Sequence, residues 1–268
     1  NRYCASSVET VAQAVAKIRS GMADVIVAGG AESMSQVPTV GWKTVPNYGI
    51  ATSNPDYFLG MGATAENVAN KYGISREDQD EFSVESHNKS LAAQAKGLFQ
   101  DEIHPIDVEE VYLEDNKRKT RSWTVSKDEG PRPGTSMEGL SKLRPVFAQG
   151  GSVTAGNSSQ TSDGAAFMLV MSEAKVKELG VEPIARMVSC VSAGVDPAYM
   201  GIGPVAAIPK ALKRVGMSLN DISLIELNEA FAAQSLACIK ALDLDPSIIN
   251  PNGGAISMGH PLAATGSR

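Results

Sequence analysis

The chain has 268 residues, a net charge of −6 at neutral pH and 43% apolar residues. It is long enough for two domains or one large one, and its acidic balance argues against a nucleic-acid binder, although a local basic pocket for phosphates stays open. Three cysteines, at positions 4, 190 and 238, form neither a metal spacing nor a disulfide framework, which fits a reducing compartment.

Asn1 to Ser7 places Cys4 just ahead of a run with helical spacing, Val8, Val11, Val15 and Ile18, stopped by Gly21. Asp24 to Ala28 reads as a buried strand ending in Gly29-Gly30. Residues 36–60 are rich in Pro, Gly, Asn and aromatics and are expected to be irregular. Thr64 to Tyr72 reads as a short helix with Thr64 as N-cap and Gly73 as stop. Ser75 and Asp78 have the spacing of a capping box, opening a longer helix toward Gly97. Residues 103–127 alternate and carry Lys117, Arg118, Lys119 and Arg121, the pattern of a solvated hairpin.

A turn over 154–160 leads into a strand-type run, Asp163 to Met171, and a helix from Ser172 to Leu179 stopped by Gly180. Residues 184–193 and 222–227 read as further strands. A helix starts at Pro209 and another spans Asn228 to Leu242. Strands alternating with helices predict an α/β layered fold, with 36–160 as a large insertion.

Three positions carry chemistry. Cys4 at a helix N-terminus sits where the macrodipole favours thiolate, the nucleophilic form. Packing as a small apolar residue is the plain alternative. Asn228 reads as an N-cap or as a side chain that fixes a water or an oxyanion, and Glu229 as a group that suits the helix dipole or orients neighbours. His260 lies in a glycine-framed segment, Asn252 to Pro261, with Pro261 at the first position of a further helix. A positive helix end keeps such an imidazole neutral and able to accept a proton. His87 and His104 lack that framing and read as structural. Cys190 and Cys238 read as packing residues.

These segments together resemble the thiolase family of acetyl-CoA acyltransferases. The resemblance rests on Asn1-Arg2-Tyr3-Cys4-Ala5-Ser6-Ser7, Gly29 to Ser35, Met61 to Ala69, Leu143 to Phe147, Thr154 to Ser159, Asn228 to Ala232 and Asn252 to Pro261, all in family order. It covers essentially the whole chain. It implies an α/β, thiolase-like layered fold of two similar βαβαβαββ halves, both incomplete here. The N-terminal half would hold 1–35 and 161–182, the loop domain 36–160 and the C-terminal half 183–268.

The resemblance implies thiolytic cleavage of a 3-oxoacyl-CoA by CoA, or the reverse Claisen condensation, as in fatty-acid β-oxidation. Cys4 would carry the acyl group as a thioester, His260 would take its proton, and Asn228 would hold a water. CoA is then a substrate, and no other cofactor or metal is expected. Its candidate contacts are Met61, Arg132, Ala155, Ser159, Met200, Ala230 and Phe231, with Arg132 near the nucleotide end. A homodimer or homotetramer is implied, with no membrane span. The implied location is the cytoplasm of a bacterium or else an organelle matrix.

Family members also use a second cysteine in a glycine-rich segment that lies outside this chain, and neither Cys190 nor Cys238 matches its context. The expectation is therefore an internal segment lacking both termini and inactive as it stands. A ketoacyl synthase would supply a second histidine where this chain has the Asn228 segment. A non-catalytic acyl-CoA-binding scaffold would need no Cys4–His260 pair.

Overall fold

The structure, a computed structural model, describes residues 1–268. A 3-10 turn over Tyr3–Ala5 runs straight into helix α1 (Ser6–Arg19), as the apolar spacing predicts. Its inner face is made by Ser6, Ser7 and Ala14, whereas Val11, Val15 and Ile18 are half-buried and Val8 is exposed. Helix α1 lies on strand β1 (Val25–Ser33), which pairs antiparallel with β4 (Asp163–Met171) from Val25↔Met171 to Ser33↔Asp163. Strand β1 outruns the expected 24–28 by continuing through Gly29-Gly30. A Cβ at Gly30 would lie 1.9 Å from the Ala263 carbonyl oxygen, so only glycine lets the strand and that turn meet backbone to backbone.

Between these strands, 36–60 is not wholly irregular: it holds α2 (Tyr48–Ser53), capped by the Asn47 side chain, and a 3-10 turn at Pro55–Phe58. Helix α3 (Met61–Tyr72) starts earlier than Thr64. The Thr64 hydroxyl donates back to the Met61 carbonyl instead of capping, and Gly60 is the N-cap. Gly73 ends α3 at φ 61°, the left-handed value that glycine supplies without strain. Helix α4 (Arg76–Ala95) opens on the capping box of Ser75 and Asp78. Strands β2 (Ile106–Glu114) and β3 (Lys117–Val125) form the expected hairpin about Asp115-Asn116, whose φ values of 54° and 60° are those of a type I′ turn. The short α5 (Met137–Ser141) follows.

Helix α6 (Glu173–Leu179) starts one residue later than expected, with Ser172 as its N-cap, and ends at the predicted Gly180 stop. Three expectations beyond it are corrected. Residues 184–193 form no ladder, and Ile184 is fully exposed, because a β-type composition needs a neighbouring strand to pair with. Residues 222–227 contribute a single parallel bridge, Ile225 to Ile249. Helix α7 (Gly203–Val215) begins with Pro204 in its first turn, and Pro209 sits inside it.

Helix α8 (Ala232–Leu242) starts four residues after Asn228, which is therefore not its N-cap. The cause is local. Ala230 accepts from the Ser159 amide and the Ala232 amide donates to Asn157, so these backbone groups are committed to the 157–159 loop. The helix α9 (Ala255–Met258) precedes His260, and 262–267 is a series of turns rather than the expected helix.

The core joins α3 to α8 through Ala65, Val68, Ala69, Ile74, Val153, Ala233 and Ala237. Alanines at this seam let the two helices approach closely, and burying Val68 alone is worth about 2 kcal/mol. A leucine at Ala233 would overpack the seam at a cost of about 1–3 kcal/mol. This seam holds α8 against α3, and with it the Asn228 segment that leads into α8. No helix is long and apolar enough to cross a membrane.

Candidate active site

Cys4 and His260, 256 residues apart in sequence, meet with Sγ 3.0 Å from Nε2. The Asn228 Nδ2 lies 3.3 Å from the same Nε2. Thus the three residues expected to carry chemistry do converge on one atom. Tyr3, immediately before Cys4, takes a left-handed φ of 46°, a conformation that costs a non-glycine residue about 1 kcal/mol. Its amide donates to Asn1 Oδ1 and the Arg2 amide to Ser6 Oγ, which hold the turn that presents the thiol.

His260 is buried, 4% exposed, and is anchored from three sides. Its amide donates to the Gln160 carbonyl at 3.3 Å and to Ser162 Oγ at 3.2 Å. Its Nδ1 lies 2.7 Å from Thr265 Oγ1. Gln160 also donates through Nε2 to the carbonyls of Gly130, Ile256 and Ser257, tying the loop region to the segment that carries His260. The turn after His260 is capped by Glu32, whose carboxylate accepts from the Ala263 amide at 3.2 Å.

The electrostatics correct one expectation and change the cause of another. Burial pushes the Cys4 thiol up from its ordinary value; a backbone hydrogen bond lowers it in part, and the nearby Glu32 charge raises it further. Its helix-mouth position therefore does not make a resting thiolate. Burial pushes His260 down to about 4, so the ring is neutral for that reason rather than because of a helix dipole. The resting pair is a thiol facing a neutral imidazole.

Asn228 is held from behind by a buried network. Glu229 is not in a first helical turn. It accepts from Ser86 Oγ at 2.6 Å, Asn250 Nδ2 at 2.9 Å and the Ile256 amide at 3.2 Å, and burial raises its carboxyl above the usual range. Asn250 in turn clasps Leu227 through both its amide and its carbonyl. The orienting role is thus the one the structure supports for Glu229.

The candidate CoA contacts are spread more widely. Ser159, Ala230 and Phe231 sit together where the 157–159 loop meets the start of α8, and Phe231 stacks edge-on with Phe147 at 5.9 Å. Arg132 is exposed, its amide held by the buried His87 Nδ1 at 3.1 Å and its guanidinium 3.5 Å from Gln160 Oε1. Met61, Ala155 and Met200 are exposed and make no hydrogen bond to the Cys4–His260 pair.

His87 is structural, His104 is exposed, and Cys238 is buried, its thiol pushed up to about 11. Cys190 is half-buried. Of the hairpin cations, Lys119 and Arg121 pair with Glu114 and Glu110 on the opposite strand, as a solvated face does. Sequence reasoning missed Gln160, Ser162 and Thr265. Only Thr265 left a signal there, a hydroxyl one turn beyond a histidine.

Comparison with known proteins accounts for the whole chain. The thiolase N-terminal domain profile matches residues 1–174 and the thiolase C-terminal domain profile matches residues 181–268. The 3-ketoacyl-CoA thiolase of Bacillus subtilis is 51% identical over 269 residues, covering 100% of this chain and 69% of that protein. The human peroxisomal 3-ketoacyl-CoA thiolase is 46% identical over 275 residues, covering 100% of this chain and 63% of that protein. Among solved structures, the dimeric peroxisomal thiolase of Saccharomyces cerevisiae superposes with a TM-score of 0.89 at 40% identity, over 100% of this chain and 67% of its own. The human mitochondrial 3-ketoacyl-CoA thiolase gives 0.87 at 42% identity, over 100% and 68%. These neighbours share the α/β thiolase fold expected from the sequence, and the chain belongs to the thiolase family.

Proposed function

We propose that this thiolase-family acyltransferase exchanges acyl groups between carbon and CoA through a thioester on Cys4. The observation that carries the reading is the 3.0 Å approach of Cys4 Sγ to His260 Nε2. In the degradative direction, the thiol gives its proton to Nε2 as Sγ attacks the keto carbon of a 3-oxoacyl-CoA. The bond between the α and keto carbons then breaks, and the electron pair leaves with the acetyl-CoA unit, which takes up a proton. The shortened acyl group stays on Cys4 until the thiol of free CoA attacks it, forming a new thioester and returning a thiol at Cys4. The reverse sequence is a Claisen condensation.

A neutral pair suits this cycle. His260 does not need to be a cation at rest; it becomes one only as Sγ forms its bond. Its Nε2 proton then faces the oxygen on which negative charge develops, with Asn228 Nδ2 beside it or acting through a water. Ser159, Ala230 and Phe231 line the approach, and Met61, Ala155, Met200 and Arg132 are the further CoA contacts, Arg132 at the phosphate-rich end. CoA enters as substrate. A homodimer like that of the yeast neighbour and a cytoplasmic or organelle-matrix setting accompany this reading.

The test is acyl trapping. Incubation of the full-length protein with a 3-oxoacyl-CoA and no free CoA, followed by peptide mass spectrometry, is expected to place the acyl group on Cys4. His260→Ala should slow its appearance by about 10²- to 10⁴-fold. Acyl groups on Cys190 or Cys238 instead, or none while the substrate binds, would replace acyl transfer with the binding-scaffold reading.

A further inference from the structure

The hydroxyl of Thr265 has two neighbours, His260 Nδ1 at 2.7 Å and the Pro261 carbonyl oxygen at 3.0 Å. A carbonyl only accepts, so the single hydroxyl proton goes to Pro261. What Thr265 turns toward the imidazole is then a lone pair. Nδ1 must carry a hydrogen to fill that contact. A neutral ring has one such hydrogen, and Nε2 is left with its lone pair.

The groups on the other face of the ring fit the same assignment. Cys4 Sγ and Asn228 Nδ2, at 3.0 and 3.3 Å from Nε2, both have hydrogen to donate. Neither Glu32 nor Ser162 competes for the ring: the first accepts from the Ala263 amide and the second from the His260 amide. The Thr265 amide also donates to Pro261 O, at 3.0 Å, so the turn itself sets the hydroxyl under Nδ1.

We propose that Thr265 is a positioning residue that holds His260 in the Nδ1–H form, so that Nε2 is the atom open to the Cys4 proton. The proposal rests on the reading of Cys4 as acyl carrier and adds to it a residue that the reading does not itself require. Once Nε2 is protonated the ring is a cation, and its Nδ1–H bond to Thr265 becomes charge-assisted and stronger. Thr265 therefore favours both the starting tautomer and the charged intermediate. Without its oxygen, an Nδ1–H would face a methyl group unsatisfied, and the ring would shift toward Nε2–H, which cannot accept the thiol proton.

The experiment pairs a spectrum with a rate. Nitrogen-15 NMR of histidine-labelled protein, with His260 assigned by its loss in His260→Asn, is expected to show Nδ1 protonated and Nε2 bare. Thr265→Val, which keeps the shape, should populate Nε2–H and slow Cys4 acylation about 10- to 100-fold, the size of effect found for partners that fix a histidine tautomer. Thr265→Ser should restore both. An Nε2–H form in the unaltered protein overturns the proposal, as does a valine variant that acylates at the unaltered rate. If the valine variant does not fold, the unaltered spectrum alone decides. Failure of the acyl-carrier reading is separate, since it appears as an unmodified Cys4 in every form while the tautomer is still read without turnover.

Discussion

The hairpin β2–β3 and the stretch from Leu227 to His260 both carry polar side chains at high density, but they satisfy them in opposite ways. On the hairpin, Lys119 faces Glu114 and Arg121 faces Glu110 across exposed strands, each side chain 41% to 63% open to water. Around the active site, Glu229, Asn250, Ser86, Ser257 and His260 are buried, and they bond to one another and to nearby amides and hydroxyls. Water already solvates the hairpin charges, so pairing them adds little; inside, an unmet polar atom loses its whole solvation. Geometry can therefore be enforced in the second region and not in the first.

Replacing Glu229 by Ala is the harshest way to probe that difference. It strips partners from Ser86, Asn250 and the Ile256 amide at once and leaves a cavity, and should cost about 4 kcal/mol in urea unfolding. A loss below about 1 kcal/mol would mean that water enters and replaces the carboxylate.

Acid is the next probe. The folded His260 titrates at about 4 against an ordinary 6.5, so the neutral form is preferred in the fold. Its contribution is complete above pH 6.5 and is lost as pH falls through 4, a total of about 3 kcal/mol. His260→Asn should flatten that part of the stability–pH curve. Smallest of all, Arg121→Ala should shift stability by no more than about 0.5 kcal/mol, despite its short contact with Glu110 and its place 5.4 Å from the Trp123 ring.

What the sequence made legible was local. The capping box at Ser75 and the Gly73 and Gly180 stops each depend on a few adjacent residues, and each is where the pattern puts it. Cys4 and His260 were legible as helix-mouth and glycine-framed residues, and family order placed Asn228 beside them. Their charge states were not. The sign at Cys4 depends on burial and on Glu32, which comes from a neighbouring strand. In the same way, the start of α8 is set by the 157–159 loop, about 70 residues upstream in the chain, and the apolar run 184–193 lacks the partner strand that its composition presumes.

The separation of 256 residues between Cys4 and His260 also makes the thiol a gauge of integrity. Nothing local holds the two together, so any excursion that frees the 250–264 segment, or lifts β1 from the turn at Ala263, returns Cys4 to an ordinary exposed thiol. Such a thiol ionises more readily than the buried one. Alkylation of Cys4 at neutral pH should therefore quicken as such openings become more frequent, with the reactive residue serving as its own clock.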